Sequence, residues 1–375
     1  MRIREITFKD FRSFRGERHF SFVDGVTNGV RPVTVLAGSN GSGKTTILEA
    51  IEALLAFALE PDTPNKLVEE ALETGLIHME VELSPLEAPN GGTPQLFDSS
   101  EGGPPQSLHI VVGKRALAPQ KPDHVWRNNL TCRLVQRGVQ GPPYVRQSRL
   151  AERLRRSVSA MHQGQAELRG GLIYFPHDRK LATTKGGPIE PPPEPRQWRF
   201  RFAESDRWQG SLEQLWVWQN YLDLELGSGD HSKLEPFVTT VESIFGPDRK
   251  IVIKEGRVLV PTNWRDAEGQ PNQVRLDQLP SGEQQVLLLF GELARRRRQG
   301  AVIAIDEAEN SLHPTLQRLA MWNLNRLAHT LDAQIIVATH SLEIIHSVRG
   351  GAFINLDFPE NRFDLPLPID NEEET

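Results

Sequence analysis

Cysteine is almost absent from this sequence of 375 residues: the one cysteine, Cys132, excludes an internal disulfide. It also excludes a zinc ribbon, a cysteine hook or an iron–sulfur cluster held by this chain alone. Apolar runs stay short of the roughly 18 residues that cross a bilayer, and the N-terminus has no apolar signal segment. We therefore expect a protein of the reducing cytoplasm, without membrane contact.

An excess of positive charge is missing too, because 43 lysines and arginines stand against 49 aspartates and glutamates. The net charge of −6 gives no indication of nucleic-acid binding, although local basic clusters decide such binding more directly. Two clusters exist, at residues 149–156 and 295–298. Each is typical of a solvated helix face, with a DNA-binding surface as the alternative.

Apolar patterning predicts a mixed α/β chain. A β-branched run at residues 33–37 predicts a buried strand, and apolar residues at helical spacing follow over 45–59. Alternation predicts a strand over 76–84, a polar helix is predicted over 150–169, and amphipathic spacing predicts helices over 212–226 and 232–245. Proline, glycine and serine at 85–107 and prolines at 185–196 predict loops prone to disorder.

Residues 38–45, Gly-Ser-Asn-Gly-Ser-Gly-Lys-Thr, match the phosphate-loop pattern G-x-x-x-x-G-K-[ST] between a strand and a helix. Glycines let backbone N–H groups face phosphate oxygens, and the helix N-terminus adds its dipole. Lys44 is predicted to reach the β- and γ-phosphates, and the Thr45 hydroxyl to bind Mg²⁺. The predicted nucleotide contacts in this loop are Asn40, Gly41, Ser42, Gly43, Lys44, Thr45 and Thr46.

A second pattern is the apolar run 301–305 followed by two carboxylates, Asp306 and Glu307. In α/β sheets, ligands bind at the carboxyl ends of strands. Asp306 is predicted to hold the Mg²⁺ shell and Glu307 to polarise the attacking water, because phosphoryl transfer depends mainly on such positioning.

A third pattern, Ser281-Gly282-Glu283-Gln284-Gln285, precedes an apolar helix. Ser281 and Gln284 fit a plain capping box, while a serine and a glycine at a helix N-terminus also form an anion site. The segment resembles the signature motif of ABC-type ATPases and lies 25 residues before Asp306. The resemblance implies that Ser281 and Gly282, with Glu283 beside them, contact the γ-phosphate held by a second subunit.

Two further segments carry the same resemblance. His340 ends an apolar strand 34 residues after Asp306 and resembles the family's switch histidine, which contacts the γ-phosphate and orients water. A purely structural histidine is the alternative. Residues 308–314 resemble the D-loop of RecF-like and OLD-like ATPases, which crosses the dimer interface, with a simple turn at His313-Pro314 as the alternative.

Two single residues, Arg12 and His177, each have an alternative assignment. Arg12, within Asp10-Phe-Arg-Ser-Phe14, resembles an arginine that lies close to the nucleotide in SMC and RecF relatives; an edge-strand arginine is the alternative. The family usually has a nucleotide-contacting glutamine at the end of a later strand, whereas the best match here, residues 173–177, ends in His177. Either His177 takes this role or another residue does.

The resemblance implies an α/β fold of the RecF/SMC/OLD-like ABC-type ATPase head: a P-loop core sheet, an antiparallel β lobe and a helical lobe. We assign residues 1–60 and 246–375 to the nucleotide-binding core and 61–245 to inserted lobes. The sequence has no heptad pattern for a long coiled-coil arm and no Toprim-like acidic cluster after His340.

The implied cofactors are ATP and Mg²⁺, and the implied assembly is a head-to-head homodimer with shared ATP sites. Since no effector domain is recognisable in the chain, the leading hypothesis is an ATPase that regulates a separate nuclease or toxin in bacterial anti-phage defence. A RecF-like DNA-binding ATPase of repair or recombination is one alternative. A nucleotide-gated scaffold with little turnover is another, and Glu307 argues against it.

Overall fold

The computed structural model describes residues 1–60, 64–83, 106–118, 129–135, 144–181, 184–227, 232–246, 249–265, 267, 269, 271–348 and 352–357. Of the loop predicted over 85–107, residues 85–105 lie outside this part, and 106–107 begin a strand. The acidic tail at 371–375 also lies outside it. None of the helices within these ranges is long and apolar enough to cross a membrane.

The described strands are β1 (Arg2–Phe11), β2 (Phe14–Ser21), β3 (Val33–Ala37), β4 (Leu76–Leu83), β5 (Gln106–Lys114), β6 (Leu130–Val135), β7 (Tyr144–Arg146), β8 (Leu172–Phe175), β9 (Arg199–Arg201), β10 (Val252–Lys254), β11 (Arg257–Arg265), β12 (Pro271–Arg275), β13 (Val302–Ile305), β14 (Gln334–Thr339) and β15 (Phe353–Asn355). The described α-helices are α1 (Lys44–Leu59), α2 (Lys66–Thr74), α3 (Arg149–His162), α4 (Leu212–Leu226), α5 (Glu235–Phe245), α6 (Ser281–Arg295), α7 (Pro314–Thr330) and α8 (Leu342–His346).

A parallel sheet with the order β15-β3-β14-β13-β8-β9 forms the centre of the fold. Every residue of β3, β8, β13 and β14 is buried, which is why these strands are continuous apolar runs rather than alternating ones. The carboxyl ends of β3, β13 and β14 therefore meet at one edge, where ligands bind in such sheets.

The second sheet has the order β2-β1-β4-β5-β6-β7 and is antiparallel except for the parallel pair β5–β6. Helix α1 lies between the two sheets: its residues Ile47, Leu48 and Ile51 share one apolar core with Ile6 of β1 and Ile336 of β14. Burial on all sides explains the nearly uninterrupted apolar sequence of α1.

Helices α4, α5, α6 and α7 share a second apolar core with one face of the parallel sheet and with the small antiparallel sheet β10-β11-β12. The predicted α/β class, with a P-loop core sheet, a largely antiparallel β lobe and a helical lobe, is confirmed. Strands β8 and β9 lie in the core sheet although they come from residues 61–245. The division of the chain at residues 60 and 246 stays a prediction.

Two predicted helices are shorter than expected. The helix expected over 150–169 ends at His162, because Gly164 follows with a φ of 72° and turns the chain. The helix expected from residue 232 begins at Glu235, after Asp223 of α4 accepts hydrogen bonds from Ser232 and Leu234.

Candidate functional site

The loop between β3 and α1 closes around the Lys44 side chain. Lys44 Nζ donates to the carbonyl oxygens of Gly38, at 2.7 Å, and Ser39, at 2.9 Å. Gly43 has a φ of 103°, and a Cβ there would lie 2.3 Å from Phe14 Cζ, so only glycine fits. No side chain of the described residues caps α1, which leaves its first N–H groups directed at the space that a phosphate would occupy.

Lys44 lies among acidic groups at the edge of the core sheet. Burial lowers the pKa of Lys44, and the charges of Asp357, Asp306, Glu309 and Glu307 oppose that shift. The acidic neighbours favour the charged ammonium form, which is the form that binds phosphate oxygens.

Thr45 and Asp306, the two residues predicted to bind Mg²⁺, are in direct contact. Thr45 Oγ1 donates to Asp306 Oδ2 at 2.8 Å, and Asp306 is fully buried. Its Oδ1 has no hydrogen-bond partner among the described residues, and burial raises the pKa of the carboxyl group. A buried carboxylate oxygen without a donor beside a hydroxyl oxygen suits a hard cation such as Mg²⁺.

Glu307 follows at the end of β13 with a φ of 46°, in the left-handed region that glutamate rarely adopts. Its backbone carbonyl accepts a hydrogen bond from Arg179 Nη2 at 2.9 Å, which helps to hold this conformation. Strained backbone of this kind is typical of functional positions.

His340 also reaches Lys44, since His340 Nδ1 lies 3.3 Å from Lys44 Nζ. Glu309, within residues 308–314, accepts hydrogen bonds from the backbone N–H of His340 and from Thr339 Oγ1, the latter at 2.7 Å. The D-loop segment (residues 308–314) is thereby tied to the end of β14. Sequence reasoning assigned no role to Glu309, because its partners come from a strand 30 residues away.

His177 lies at the same edge of the sheet: its Nδ1 is 3.7 Å from Asp306 Oδ2, and its side chain is 56% exposed. The structure thus brings His177 to the predicted Mg²⁺ ligand, while its coupling role stays a prediction. Asn310 Nδ2 donates to the His177 carbonyl oxygen at 3.2 Å, which adds a link to the D-loop segment.

Arg179 is a residue that the sequence patterns did not indicate. It is 2% exposed, and its guanidinium donates to the carbonyl oxygens of Pro176, Asp306 and Glu307. Gln285 Nε2, in α6, donates to the Arg179 carbonyl oxygen at 3.1 Å. Arg179 therefore connects the end of β8, the acidic pair after β13 and the helix that follows the signature motif.

Arg12 has partners other than the phosphate loop. Its guanidinium binds Glu49 of α1, with Nη1 to Oε2 at 2.8 Å, and both carboxylate oxygens of Glu70 in α2. These bonds, with Glu70 contributing most, raise the pKa of Arg12. The position is a left-handed turn residue between β1 and β2, with a φ of 50°. Its predicted nucleotide contact stays a prediction.

The signature segment adopts a different local structure from a capping box. Ser281 is the first residue of α6, Pro280 is the N-cap, and Gln284 Nε2 donates to the carbonyl oxygens of Asp277 and Leu279. The capping-box alternative is therefore wrong, because Ser281 lies one position too far into the helix to cap it.

The remaining contacts of the signature segment point to the D-loop segment and the helical lobe. A Cβ on Gly282 would lie 2.5 Å from the Ser311 carbonyl oxygen, so the helix approaches that segment closely. Glu283 forms an ion pair with Arg249. No hydrogen bond or ion pair between described residues joins 281–283 to the phosphate loop.

A cleft of about 500 Å³ extends from the phosphate loop to the β1–β2 hairpin and the end of β15. Asp357 lies at its border, where its carboxylate accepts hydrogen bonds from the Ser39 backbone N–H, at 2.8 Å, and the Ser39 hydroxyl, at 2.7 Å. These bonds lower the pKa of Asp357. The cleft is lined by Ser13, Phe14, Glu17, Arg18, His19, Phe20, Gly41, Ser42, Leu356 and Asp357.

The two basic clusters differ in the structure. Arg149, Arg153 and Arg156 are exposed on α3. In the run 295–298, only Arg297 is exposed, because the other three side chains are bound within the fold. The prediction of a solvated helix face, like its DNA-binding alternative, is therefore wrong for residues 295–298.

Two parts of the chain match models of known protein families. Residues 160–346 match a family model described as "AAA domain, putative AbiEii toxin, Type IV TA system", and residues 5–89 match one described as "AAA domain". A search of curated proteins finds no match.

Solved structures of SMC head domains are similar over nearly the whole chain. The SMC head domain from Thermotoga maritima shows 14% identity and a TM-score of 0.44, covering 95% of this chain and 94% of that one. An SmcHead bound to the C-winged helix domain of ScpA shows 12% identity and a TM-score of 0.48, covering 95% and 94%. The Smc head domain from Pyrococcus furiosus, solved with an extended coiled coil and the C-terminal domain of ScpA, shows 11% identity and a TM-score of 0.45, covering 94% and 92%.

A phosphate loop after β3, an acidic pair after β13, a signature helix and a histidine after β14, all around one parallel sheet, define a P-loop nucleotide-binding head. The two family models cover the same motifs. Over residues 5–89 and 160–346, the chain therefore has the sequence features of AAA domains.

Proposed function

We propose that this protein binds and hydrolyses ATP with Mg²⁺ in a head-to-head homodimer, and that this cycle regulates a separate effector, a nuclease or a toxin. The observation that carries the proposal is the separation of the two halves of the site. The phosphate-binding half, Lys44, Thr45 and Asp306, is assembled at one sheet edge. The signature half, Ser281 and Gly282, lies apart from it, and Gly282 approaches the D-loop segment instead. A second copy of the chain supplies the missing half.

The residues of the sheet edge have distinct roles in this reaction. Mg²⁺, when bound, neutralises charge on the β- and γ-phosphates, and Thr45 Oγ1 and Asp306 are the groups that would hold it. Lys44 binds the phosphate oxygens through its ammonium group. Glu307 orients the attacking water, and His340, beside Lys44, contacts the γ-phosphate. The cleft next to the loop accommodates the nucleoside.

Effector regulation in anti-phage defence is the finer part of the proposal. It is supported by the description of the family model that matches residues 160–346, which names a toxin of a toxin–antitoxin system. We place the reaction in the cytoplasm, where ATP and Mg²⁺ are available.

Native mass spectrometry of Glu307→Gln, purified from its host with Mg²⁺ and ATP, tests the whole proposal. Without the water-orienting carboxylate, the protein should remain as an ATP-bound dimer that carries a second protein. Lys44→Ala, which loses the phosphate-binding cation, should give a monomer without nucleotide. A Glu307→Gln sample that stays monomeric with ATP would contradict the dimer, and a dimer without a second protein would contradict effector regulation.

Ser281→Arg tests the shared site separately. The larger side chain should block dimer closure, so ATP binding to the monomer persists while steady-state hydrolysis is lost. Ser243→Arg, at an exposed serine of α5 in the same lobe, is the matched control and should hydrolyse ATP normally. Normal hydrolysis by Ser281→Arg would rule out a site shared between two chains.

The exposed arginines of α3 favour DNA as a second candidate ligand. In that case duplex binding should require ATP and weaken steeply with salt, because each neutralised phosphate releases counterions. Fluorescence anisotropy at two salt concentrations measures the slope, and Arg153→Gln should reduce it. Affinity that does not change with salt would exclude this function.

A nucleotide-gated scaffold is the remaining alternative. It would be favoured if the wild type hydrolysed ATP no faster than Glu307→Gln.

A further inference from the structure

A second cavity, of about 350 Å³, lies on the face of the parallel sheet opposite α1. Its walls are a strap (residues 193–203), the N-terminus of α4 and the last two turns of α6. Phe200 and Leu288 supply apolar wall, and Ser205 and Ser211 supply hydroxyl groups. The volume falls within the range of sites that hold small organic ligands, roughly 300–1,000 Å³.

The charge of the wall is unbalanced towards positive. Arg257 pairs with Glu213, at 2.9 Å, and Arg196 pairs with Glu194, so those charges cancel. The carboxylate of Asp277 is neutralised by Arg275, which lies outside the wall. Lys180 forms no hydrogen bond or ion pair with any described residue.

Arg295 and Arg296 bring two more cations to the wall. Arg295 donates to the carbonyl oxygens of Gly210 and Pro193 and has no carboxylate partner among the described residues. Arg296, 9% exposed, pairs with Glu292 and lies 3.5 Å from the centre of the Phe200 ring. Burial lowers the pKa of Arg296 to about 9, which leaves it charged at neutral pH.

Arg296 contributes charge rather than a hydrogen-bond donor, because its Nε is itself buried and does not face the cavity. The N-terminus of α4, a helix of 15 residues that begins beside the cavity, adds positive potential.

We propose that this cavity is a binding site for a small organic phosphate. Lys180 and Arg295, the two cations without a carboxylate partner, would neutralise a phosphate group of charge near −2. Arg296 would add a third positive charge to the wall, and Phe200 and Leu288 would contact the carbon skeleton. Two unpaired cations match a phosphate group, with its two negative charges, better than a carboxylate group with one.

The position of the cavity gives such a ligand a route to the nucleotide site. Arg295 ends the helix α6, which begins with Ser281 of the signature motif. Lys180 follows Arg179, whose guanidinium holds the carbonyl oxygens of Asp306 and Glu307. A ligand bound between Lys180 and Arg295 would therefore change the positions of the signature motif and of the acidic pair after β13. Its effect on hydrolysis rests on the proposed ATPase activity, whereas its binding does not.

Isothermal titration calorimetry with ribose 5-phosphate, glucose 6-phosphate and glycerol 3-phosphate tests the site. Lys44→Ala protein is used so that the phosphate loop contributes least. At least one probe should bind, and Lys180→Gln and Arg295→Gln should each raise its dissociation constant about tenfold or more. Arg297→Gln, at the exposed neighbour outside the cavity, should bind like the parent protein.

Two results would overturn the proposal. One is the absence of binding by all three probes up to about 10 mM, an affinity too weak for regulation. The other is binding that Lys180→Gln leaves unchanged. Lys180 is exposed, so its substitution does not threaten folding, and it decides the question even where Arg295→Gln is unstable. A wild-type protein that hydrolysed no ATP would contradict the proposed ATPase and leave these titrations unaffected, so the two proposals fail separately.

Discussion

Arg179 determines where the two acidic residues after β13 lie, although it touches neither of their side chains through a hydrogen bond. Its guanidinium binds the backbone carbonyl oxygens of Asp306 and Glu307, and burial lowers its pKa. Removing one donor from such a buried arrangement leaves acceptors without partners. The position of the Mg²⁺ ligand and of the water-orienting carboxylate thus depends on a residue in another motif.

Arg179→Lys should lower the free energy of unfolding by about 2–4 kcal/mol, because an ammonium group cannot serve three carbonyl oxygens in the planar geometry of a guanidinium. Misplacement of Glu307 should reduce kcat for ATP hydrolysis more than it reduces ATP affinity. Denaturant titration and steady-state kinetics measure the two effects. Arg207→Lys, at an exposed arginine, should change neither; a wild-type kcat in Arg179→Lys would refute the positioning role.

At the scale of single residues, spacing and residue type predicted Lys44, Thr45 and Asp306. The structure brings Thr45 and Asp306 into contact and places Lys44 within the electrostatic influence of Asp306. Their pattern is local and has a fixed order, so it can be recognised without the fold. Arg179 and Glu309 have no such pattern, because each is defined by partners distant in sequence. The same holds for Arg296, whose burial in a run of arginines no composition rule indicates.

Helix α6 connects three functional segments. Its first turn packs against the D-loop segment through Gly282, its middle contacts Arg179 through Gln285, and its end borders the second cavity. A helix of 15 residues is a stiff rod of about 22 Å. Displacement at either end is therefore transmitted to the other.

Gly282→Ala should separate the first turn of α6 from Ser311, because the added Cβ would lie 2.5 Å from a backbone oxygen. Misplacement of Ser281 by about 1 Å should lower ATP turnover about a hundredfold, while nucleotide binding to the monomer persists. Gly25→Ala, at a glycine with open space around it, is the control for turnover. Unchanged turnover in Gly282→Ala would show that the close approach has no functional role.

The elements themselves were largely predictable, since apolar period distinguishes a buried strand such as β14 from an amphipathic helix such as α5. The residues at which helices begin and end were harder to predict. The polar stretch after His162 continues the helical composition, but Gly164 turns the chain before it can continue the helix. The signature helix begins at Ser281 rather than after it, because Pro280 takes the N-cap position.

The two large sheets are joined by Gln334, the first residue of β14. Its Oε1 accepts from the backbone N–H of Ile3 in β1 at 2.7 Å, and its Nε2 donates to the Ile3 carbonyl oxygen at 2.9 Å. Gln334 is 1% exposed, so both bonds are shielded from water. One side chain therefore satisfies the backbone of a strand in the other sheet.

Gln334→Met should destabilise the whole molecule by about 2–5 kcal/mol, because it leaves a buried donor and a buried acceptor of Ile3 unsatisfied. The midpoint of denaturant unfolding measures the loss. Gln299→Met, at an exposed glutamine, should shift it by less than about 0.5 kcal/mol. Equal midpoints for the two variants would mean that the sheets do not depend on this link.

The arrangement of the whole molecule was the least accessible from the sequence. The core sheet inserts β8 and β9, from the middle of the chain, beside β13, and no local pattern reveals that neighbour. The family resemblance supplied the order of the motifs and the confirmed fold class. Register and sheet order depend instead on contacts between distant residues, such as Ile303 with Ile173.

The contact between Gly43 and Phe14 has a consequence for how the molecule can be divided. Phe14 lies in an aromatic cluster with Phe8 and Phe20 of the β1–β2 hairpin, and its ring closes on the phosphate loop from the outside. The loop thus takes its shape partly from a sheet to which it does not belong. A fragment that contained every phosphate-contacting residue but began after the hairpin would lack the contact between Phe14 and the loop. Nucleotide recognition in this protein is a property of the two sheets jointly and is not transferable with the loop alone.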